Sequence, residues 1–226
     1  AMIVKPASLT PLSAYALALL AYEAGVPQDL LPVVSGRASE ISHEFATNLT
    51  VRKISFTGST EVGAKIFADS AADIKKLSLE LGGNAPFIVF DDADFDKAVE
   101  GALASKFRNS GQTCVCTNRV YAQSGIYEEF CRKLSEKVAA LKLGNGLDEG
   151  VNQGPLIEEK AVEKVEQHIA DALSKGAVCL TGGKRSALGG TFFEPTVLSG
   201  VTAQMAVARE ETFGPLCPVF RFETEA

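Results

Sequence analysis

The amino-acid sequence predicts an α/β protein: a doubly wound parallel sheet followed by a second α/β domain. Strand-like and helix-like patterns alternate four times within residues 1–82, which is typical of a parallel sheet covered by helices. A new alternating series begins at the apolar residues 87–90, after a pair of glycines. The 226 residues, 46% hydrophobic and 22% charged, are enough for one large or two small domains with real cores.

The first series supplies a predicted ligand-binding edge. Its predicted strands are residues 2–4, 30–34, 51–56 and 76–81, and its predicted helices are residues 11–24, 38–47 and a third that opens at 57–60. Because a doubly wound sheet binds ligands beyond the carboxyl ends of its strands, we expect the residues at those ends to share one edge. They are Lys5, Ser35, Gly36, Gly58, Ser59 and Glu80.

The second series begins with an amphipathic helix. Its apolar stripe consists of Phe95, Ala98, Val99, Ala102, Leu103 and Phe107. Further helices are predicted at residues 127–143 and 158–174, on either side of a loop at 144–154. Strands are predicted at residues 87–90, 120–121, 178–181, 191–197 and 216–222.

Charge and cysteine content narrow the possible partners. The net charge is −6 and no basic block is present, so we expect no nucleic-acid partner. The longest apolar run, residues 14–24, is too short to span a bilayer, so we expect no membrane partner. Five cysteines that match no disulfide framework predict a reducing, cytoplasmic compartment. No metal site is expected, because His43 and His168 lie in separate predicted helices.

The segment 107–119 follows a predicted helix, breaks at Gly111 and carries two cysteines one residue apart. Backbone N–H groups left free after the helix, together with Arg108 and Arg119, can stabilise the thiolate of Cys114 and hold an oxyanion. We therefore interpret Cys114 as a catalytic thiol. The alternative is a buried structural cysteine.

Glu80 is the candidate general base. It ends an otherwise apolar strand and is followed by Leu81, Gly82 and Gly83. A carboxylate there is expected to be partly desolvated, which suits a group that accepts a proton. The alternative is a solvated glutamate at a strand end.

Two glycines, Gly58 and Gly63, flank a predicted helix start at Ser59. Backbone N–H groups at such a start can face a pyrophosphate. The pattern is neither G-x-G-x-x-G nor a Walker sequence. The alternative is an ordinary N-cap by Thr57 or Ser59.

Five segments together resemble the aldehyde dehydrogenase superfamily over essentially the whole chain. They are residues 79–86, similar to its glutamate signature, 111–114, similar to its cysteine signature, and 4–7, 56–59 and 210–215, similar to its cofactor contacts. Five motifs in the family's order are far more specific than any one of them. The resemblance implies a partial dinucleotide-binding domain at residues 1–82 and a catalytic domain, truncated at its C-terminal side, at residues 83–226.

The resemblance implies a two-step oxidation of an aldehyde to an acid. The Cys114 thiolate attacks the carbonyl carbon, hydride passes to the nicotinamide ring, and Glu80 activates the water that hydrolyses the thioester. The cofactor-binding residues that it implies are Lys5, Ser8, Gly58, Ser59, Leu81, Glu211 and Phe213. Two other functions stay open: a cysteine thioester hydrolase or acyltransferase without a dinucleotide, and a non-catalytic binding module.

The cofactor expected from the resemblance is NADP, with NAD as the alternative. By similarity, Glu211 holds the nicotinamide ribose and Phe213 packs near the ring, while Ser59 meets the pyrophosphate and Lys5 the adenosine ribose. NAD-preferring relatives often carry a glutamate three residues after this lysine, where this chain has Ser8. Serine brings no carboxylate to repel a 2′-phosphate, and Lys5 attracts it.

The substrate implied is a small aldehyde with a carboxylate at its far end. In the succinate-semialdehyde dehydrogenase branch, an arginine six residues before the nucleophile binds that carboxylate, and Arg108 occupies this place. The alternative is a surface arginine at a helix end.

Cys116 is a candidate redox switch by similarity to the same branch. A link between Cys114 and Cys116 closes a strained ring, so it is expected to be labile and regulatory. The alternative is a second, packed thiol.

Both ends of the sequence resemble cuts through a longer family member. We therefore expect the isolated segment to be inactive, and the full-length enzyme to be a homodimer or homotetramer.

Overall fold

The computed structural model describes residues 1–225. It divides into two compact units, Ala1–Gly82 and the chain from Gly83 onward. Each unit contains helices and parallel strands, so the predicted α/β class is confirmed. None of the helices described for these residues combines the length and the apolar character that crossing a membrane requires.

The first unit contains three helices, α1 (Leu12–Glu23), α2 (Ala38–Thr47) and α3 (Thr60–Ser70). Helix α1 ends before Gly25, whose φ of 97° only glycine adopts without strain. Ser59 precedes α3, and its side chain accepts a hydrogen bond from the Val62 N–H at 3.3 Å. The ordinary N-cap considered for Ser59 is therefore confirmed.

Two parallel strands, β1 (Lys53–Gly58) and β2 (Lys76–Leu81), form the sheet of the first unit. Their register sets Thr57 opposite Glu80 and Gly58 opposite Leu81. Strand β2 has its predicted bounds, whereas β1 begins two residues later than predicted and extends through Gly58. The glycine at the start of the predicted cofactor loop thus belongs to the strand itself.

The predicted strands at residues 2–4 and 30–34 are wrong. The structure retains an isolated parallel bridge between Val4 and Val33. Three backbone hydrogen bonds accompany it, from the N–H groups of Met2, Val4 and Val34 to the carbonyls of Leu30, Pro32 and Val4 at 2.8, 2.9 and 2.9 Å. Pro6 and Pro32 flank this bridge and have no N–H to donate, so a longer ladder cannot form there.

The second unit is built on a five-stranded sheet. Its strands are β3 (Pro86–Val89), β4 (Arg119–Gln123), β5 (Val178–Thr181), β6 (Thr196–Val201) and β7 (Leu216–Phe222). Their spatial order is β3-β4-β7-β6-β5, and β5 alone is antiparallel to its neighbour. The strand predicted at 191–197 is wrong for most of its length. Pro195 lacks an N–H and β6 starts after it, while Phe193 makes only an isolated bridge with Arg185.

Helices α4 (Phe95–Phe107) and α5 (Tyr127–Ala139) cover one face of this sheet, and α6 (Glu159–Ser174) covers the other. Strand β4 shows how the two cores are separated: Val120 and Ala122 pack with α4 and α5, and Tyr121 packs with the α6 layer. Fully buried side chains such as Phe130 and Leu134 each stabilise the fold by about 1.5–3 kcal/mol.

Strands β3, β4 and β7 run parallel and therefore begin at the same edge of the second sheet. The segments that lead into them are residues 83–85, 111–118 and 211–215. This edge is where the cysteine segment and the segment that carries Glu211 meet.

Candidate active site

The backbone leading to Cys114 is strained. Helix α4 ends at Phe107, and Asn109, Ser110 and Gly111 then adopt left-handed conformations with φ of 51°, 55° and 75°. Such a conformation costs about 1–2 kcal/mol for a residue other than glycine. Strain of this kind persists only where surrounding contacts enforce it, and it is enriched at functional sites.

Two glycines lie where this turn closely approaches another part of the second unit. A Cβ atom on Gly111 would lie 2.1 Å from the carbonyl oxygen of Gly214. A Cβ atom on Gly214 would lie 2.5 Å from a methyl group of Val165 on α6. The cysteine segment therefore packs directly on the segment 211–215, which in turn packs on α6.

Hydrogen bonds fix the two ends of the cysteine segment. At its start, the Ser110 hydroxyl donates to the Gly154 carbonyl at 2.9 Å, and the Gln112 side chain accepts from the Ile157 N–H at 2.9 Å. At its end, the hydroxyls of Thr117 and Ser105 are 2.6 Å apart, which ties the segment back to α4. The residues between these anchors are thereby held in one conformation.

Cys114 lies in the turn between these anchors and is exposed. The alternative of a buried structural cysteine is therefore excluded for this thiol. Among residues 1–225, no hydrogen-bond acceptor is found for the backbone N–H groups of Thr113, Cys114 or Val115. Free N–H groups beside an exposed sulfur are the donors that a tetrahedral oxyanion needs.

Cys116 is packed instead of exposed. Its side chain is buried, and its thiol donates to the Arg108 carbonyl at 3.5 Å. A link to Cys114 would require the Cys116 sulfur to leave this position. The packed-thiol alternative matches this geometry, and the redox role of Cys116 stays a prediction.

Glu211 and Phe213 lie on the neighbouring segment. The Glu211 carboxylate accepts a hydrogen bond from the Gly83 N–H at 3.3 Å. Phe213 is also left-handed, with φ of 53°, and its side chain is 39% exposed. An exposed ring next to a partly exposed carboxylate is suited to a nucleotide's base and ribose, respectively.

His168 is a residue of this region that the sequence reasoning considered only as a metal ligand. It is buried on α6, with its Nδ1 atom 2.9 Å from the Thr212 hydroxyl and its Nε2 atom 3.4 Å from the Glu210 carboxylate. Because Thr212 immediately precedes the strained Phe213, this contact helps hold the segment 211–215. The sequence did carry a signal that His168 is buried: it lies three residues after Val165, on the buried face of α6.

Acidification is expected to destabilise the folded protein through His168. Burial lowers its pKa, although the Glu210 carboxylate acts in the opposite direction. A histidine whose pKa is lower in the folded state contributes stability that is lost as the pH falls below about 6.5, its ordinary pKa. We expect His168→Gln to flatten the fall in unfolding free energy between pH 7.5 and 5.5, and to cost about 1 kcal/mol at pH 7.5 through the altered hydrogen bond.

Urea unfolding of the intact protein and of this variant at both pH values measures the effect. His43→Gln is the matched control, since His43 is an exposed histidine in the first unit. An equal loss of stability on acidification in the parent and in His168→Gln would contradict the assignment.

The two arginines near Cys114 in sequence differ in their surroundings. Arg119 donates through Nε to the Asn84 carbonyl at 2.8 Å and is therefore engaged within the fold. Arg108 is exposed, and within residues 1–225 its guanidinium makes no hydrogen bond or ion pair. Arg108 is thus the arginine available to a ligand.

The remaining candidates lie in the first unit, in two separate strand pairings. Gly58 and Leu81 are partners at the carboxyl end of β1 and β2, next to Glu80. Lys5 and Ser8 follow the Val4 bridge, which is not paired with that sheet, and the expected single edge stays a prediction. Glu80 is exposed, so its expected partial desolvation is wrong: it stands next to the last residue of β2, at the solvated end of a two-stranded sheet.

The described residues include no group of three or more histidine, cysteine, aspartate or glutamate side chains that could hold a metal ion.

Comparisons with known proteins bear on this site. Residues 1–226 match the model of the aldehyde dehydrogenase family. A glutarate-semialdehyde dehydrogenase of Pseudomonas aeruginosa and the succinate-semialdehyde dehydrogenase (NADP(+)) GabD of Escherichia coli are each 62% identical over 225 residues. Each match covers 100% of this chain and 47% of the relative.

Comparison with solved structures shows the same similarity. A crystal structure of an NADP-dependent enzyme from E. coli superposes with a TM-score of 0.97 at 62% identity, covering 99% of this chain and 47% of that one. The chain spans about half the length of the curated relatives that it matches. From a family match along its full sequence and this degree of identity, the chain belongs to the aldehyde dehydrogenase family.

Proposed function

We propose that the intact protein oxidises a short aldehyde with a distal carboxylate, such as succinate or glutarate semialdehyde, to the acid with NADP. The observation that carries the proposal is the exposed Cys114 on a strained turn, docked through Gly111 and Gly214 on the segment that presents Glu211 and Phe213. This arrangement supports a thiol and a nucleotide-contacting segment acting at one site. The names of the relatives support the same reaction class.

Cys114 is the nucleophile in this mechanism. Its thiolate attacks the aldehyde carbon, and the free N–H groups of Cys114 and its neighbours stabilise the oxyanion that forms. NADP, when bound, supplies the hydride acceptor that turns the thiohemiacetal into a thioester. By similarity to the family, Glu80, an exposed carboxylate near the end of β2, is proposed to take the proton of the water that releases the acid.

The residues of the chain fit a phosphorylated dinucleotide. Glu211 offers a carboxylate to ribose hydroxyls, and Phe213 offers a partly exposed ring. Ser8 is exposed and brings no negative charge, while Lys5 precedes it on the same short segment. This charge pattern favours a 2′-phosphate over a bare 2′-hydroxyl, so NADP is proposed over NAD.

Arg108 is proposed to bind the far carboxylate of the substrate. Its guanidinium is exposed and unengaged within residues 1–225, and a planar fork suits a carboxylate. The two relatives named above act on semialdehydes that share this carboxylate and differ in chain length.

Arg108→Ala is expected to raise KM for succinate semialdehyde by about 10- to 100-fold, because a charge-assisted pair is worth about 1.5–3 kcal/mol. KM for propanal, which has no carboxylate, should change less than about threefold. Initial rates of the intact protein with both aldehydes measure this difference. Arg132→Ala, which removes an exposed arginine on α5, is the matched control. Equal losses for both aldehydes would remove the role from Arg108.

The whole proposal is tested by initial rates of the intact protein with aldehydes that carry a terminal carboxylate after two, three or four carbons. Each is measured with NADP and with NAD, beside hydrolysis of a thioester. We expect NADPH formation with the carboxy aldehydes and little with uncharged ones. Thioester hydrolysis without any dehydrogenase activity would overturn the proposal in favour of the hydrolase. A homodimer or homotetramer is proposed for the intact protein by similarity to the family.

A further inference from the structure

Lys106 occupies a position in α4 where an apolar residue is expected. It lies on the same face as Val99 and Ala102, and all three have no measurable exposure. Lysine is almost never fully buried unless it is paired. No carboxylate pairs with it at ion-pair distance within residues 1–225.

The polar contacts of Lys106 form a chain that leads to the proposed cofactor site. Its Nζ atom donates to Asn118 Oδ1 at 3.4 Å, and Asn118 Nδ2 donates to the Gly83 carbonyl at 3.1 Å. The N–H of the same Gly83 donates to the Glu211 carboxylate at 3.3 Å. Asn118 also donates to the Cys116 carbonyl at 3.5 Å, two residues after Cys114. The buried Lys106 side chain is thus linked by hydrogen bonds to the segments 83–85, 111–118 and 211–215, which lead into β3, β4 and β7.

Stability does not account for a lysine here. Burial lowers the pKa of Lys106 to about 8, against the opposing influence of Cys217, Cys116 and Glu211. An ammonium group has three donors, and one long hydrogen bond satisfies only one of them. A well-packed apolar side chain of similar length is often at least as stable in such a place.

We infer that Lys106 is a positioning residue for the cofactor: through Asn118 and the backbone of Gly83 it fixes the carboxylate of Glu211. This inference rests on the proposed function, because it assigns Glu211 to the cofactor ribose. Lys106 itself is fully buried and contacts neither substrate nor cofactor. Its charge orients the Asn118 amide, the amide holds the Gly83 carbonyl, and the Gly83 N–H is then aimed at Glu211.

The test combines two measurements on the intact protein and its Lys106→Met, Glu211→Gln and doubly substituted variants. Fluorescence titration gives the dissociation constant for NADPH, and hydrogen exchange gives the protection of the Gly83 N–H. We expect Lys106→Met to weaken NADPH binding about tenfold, to speed exchange at Gly83 and to keep the melting temperature of the parent. KM for the aldehyde should change less than about twofold.

The double variant separates positioning from general damage. If Lys106 acts through Glu211, the double variant binds NADPH no more weakly than Glu211→Gln alone. The inference would be overturned if the two substitutions weakened NADPH binding independently, so that the double variant showed the product of their separate effects. It would also be overturned if Lys106→Met changed neither NADPH binding nor exchange at the Gly83 N–H. Asn118→Leu removes the side chain that connects Lys106 to Gly83 by hydrogen bonds. It replaces Lys106→Met in the test if Lys106→Met does not fold.

A failure of the proposed function has a different signature. The parent would then bind no dinucleotide at all, which would overturn the cofactor role of Lys106 together with the function. Exchange at the Gly83 N–H would still report whether Lys106 holds the backbone of Gly83. A parent that binds NADPH beside an unaffected Lys106→Met refutes the positioning role alone.

Discussion

Cys114→Ser is expected to lower kcat/KM for aldehyde oxidation by the intact protein by at least about a thousandfold. A serine hydroxyl attacks a carbonyl only when an adjacent base takes its proton. His168, the histidine of the second unit, is buried and already bonded to Thr212 and Glu210. The free N–H groups of the turn would survive the change, so the loss reports the nucleophile and not the oxyanion site.

The control is Cys179→Ser, which replaces a half-buried thiol on β5 and is expected to leave the rate within about twofold. NADPH binding by Cys114→Ser should match the parent, which shows that the site is intact. A variant that keeps a tenth or more of the parent rate would remove Cys114 as the nucleophile.

Much of the fold follows from the spacing of apolar residues. The bounds of α2, β2, β5 and β7 are those predicted, because each is a continuous pattern with clear signals at its ends. Two boundaries differ without a proline: α5 ends at Ala139 instead of residue 143, and β1 is shifted by two residues. The strands that do not form as predicted lie at prolines. Residues around Pro6, Pro32 and Pro195 have strand-like side chains, but the missing N–H limits each to a bridge or delays the strand.

The candidate site was predictable only in part. The motif around Cys114 identified a thiol in a turn after a helix, and the structure exposes it as that reading requires. The left-handed Asn109, Ser110 and Phe213 carry no comparable signal, because contacts from distant parts of the sequence enforce them. The roles of Lys106 and His168 also depend on partners that only the folded chain brings near.

Contact between the two glycines connects the predicted nucleophile to the predicted cofactor segment. Gly111 approaches the Gly214 carbonyl where no Cβ fits, and Gly214 approaches Val165 in the same way. Sequence reasoning treated Gly111 as a break after a helix, which is correct for its φ of 75°. The closeness to Gly214 explains why a larger residue is unsuitable there even if that φ were tolerated.

Gly111→Ala is therefore expected to lower the unfolding free energy by about 3–5 kcal/mol. Part of this is the cost of placing alanine in the left-handed region, about 1–2 kcal/mol. The rest arises because the new Cβ would lie 2.1 Å from a backbone oxygen and 2.5 Å from its carbon. Backbone atoms of a segment packed on α6 cannot move aside as a flexible side chain can.

Gly189→Ala measures separately the cost of placing an alanine in the left-handed region. Gly189 has φ of 77° and nothing within 4 Å of an added Cβ, so this variant carries the backbone strain without the clash. Urea unfolding of the intact protein and both variants should show Gly111→Ala losing at least about 2 kcal/mol more than Gly189→Ala. Equal losses would mean that the two segments separate at little cost, and the cysteine turn would then owe its shape to something other than Gly214.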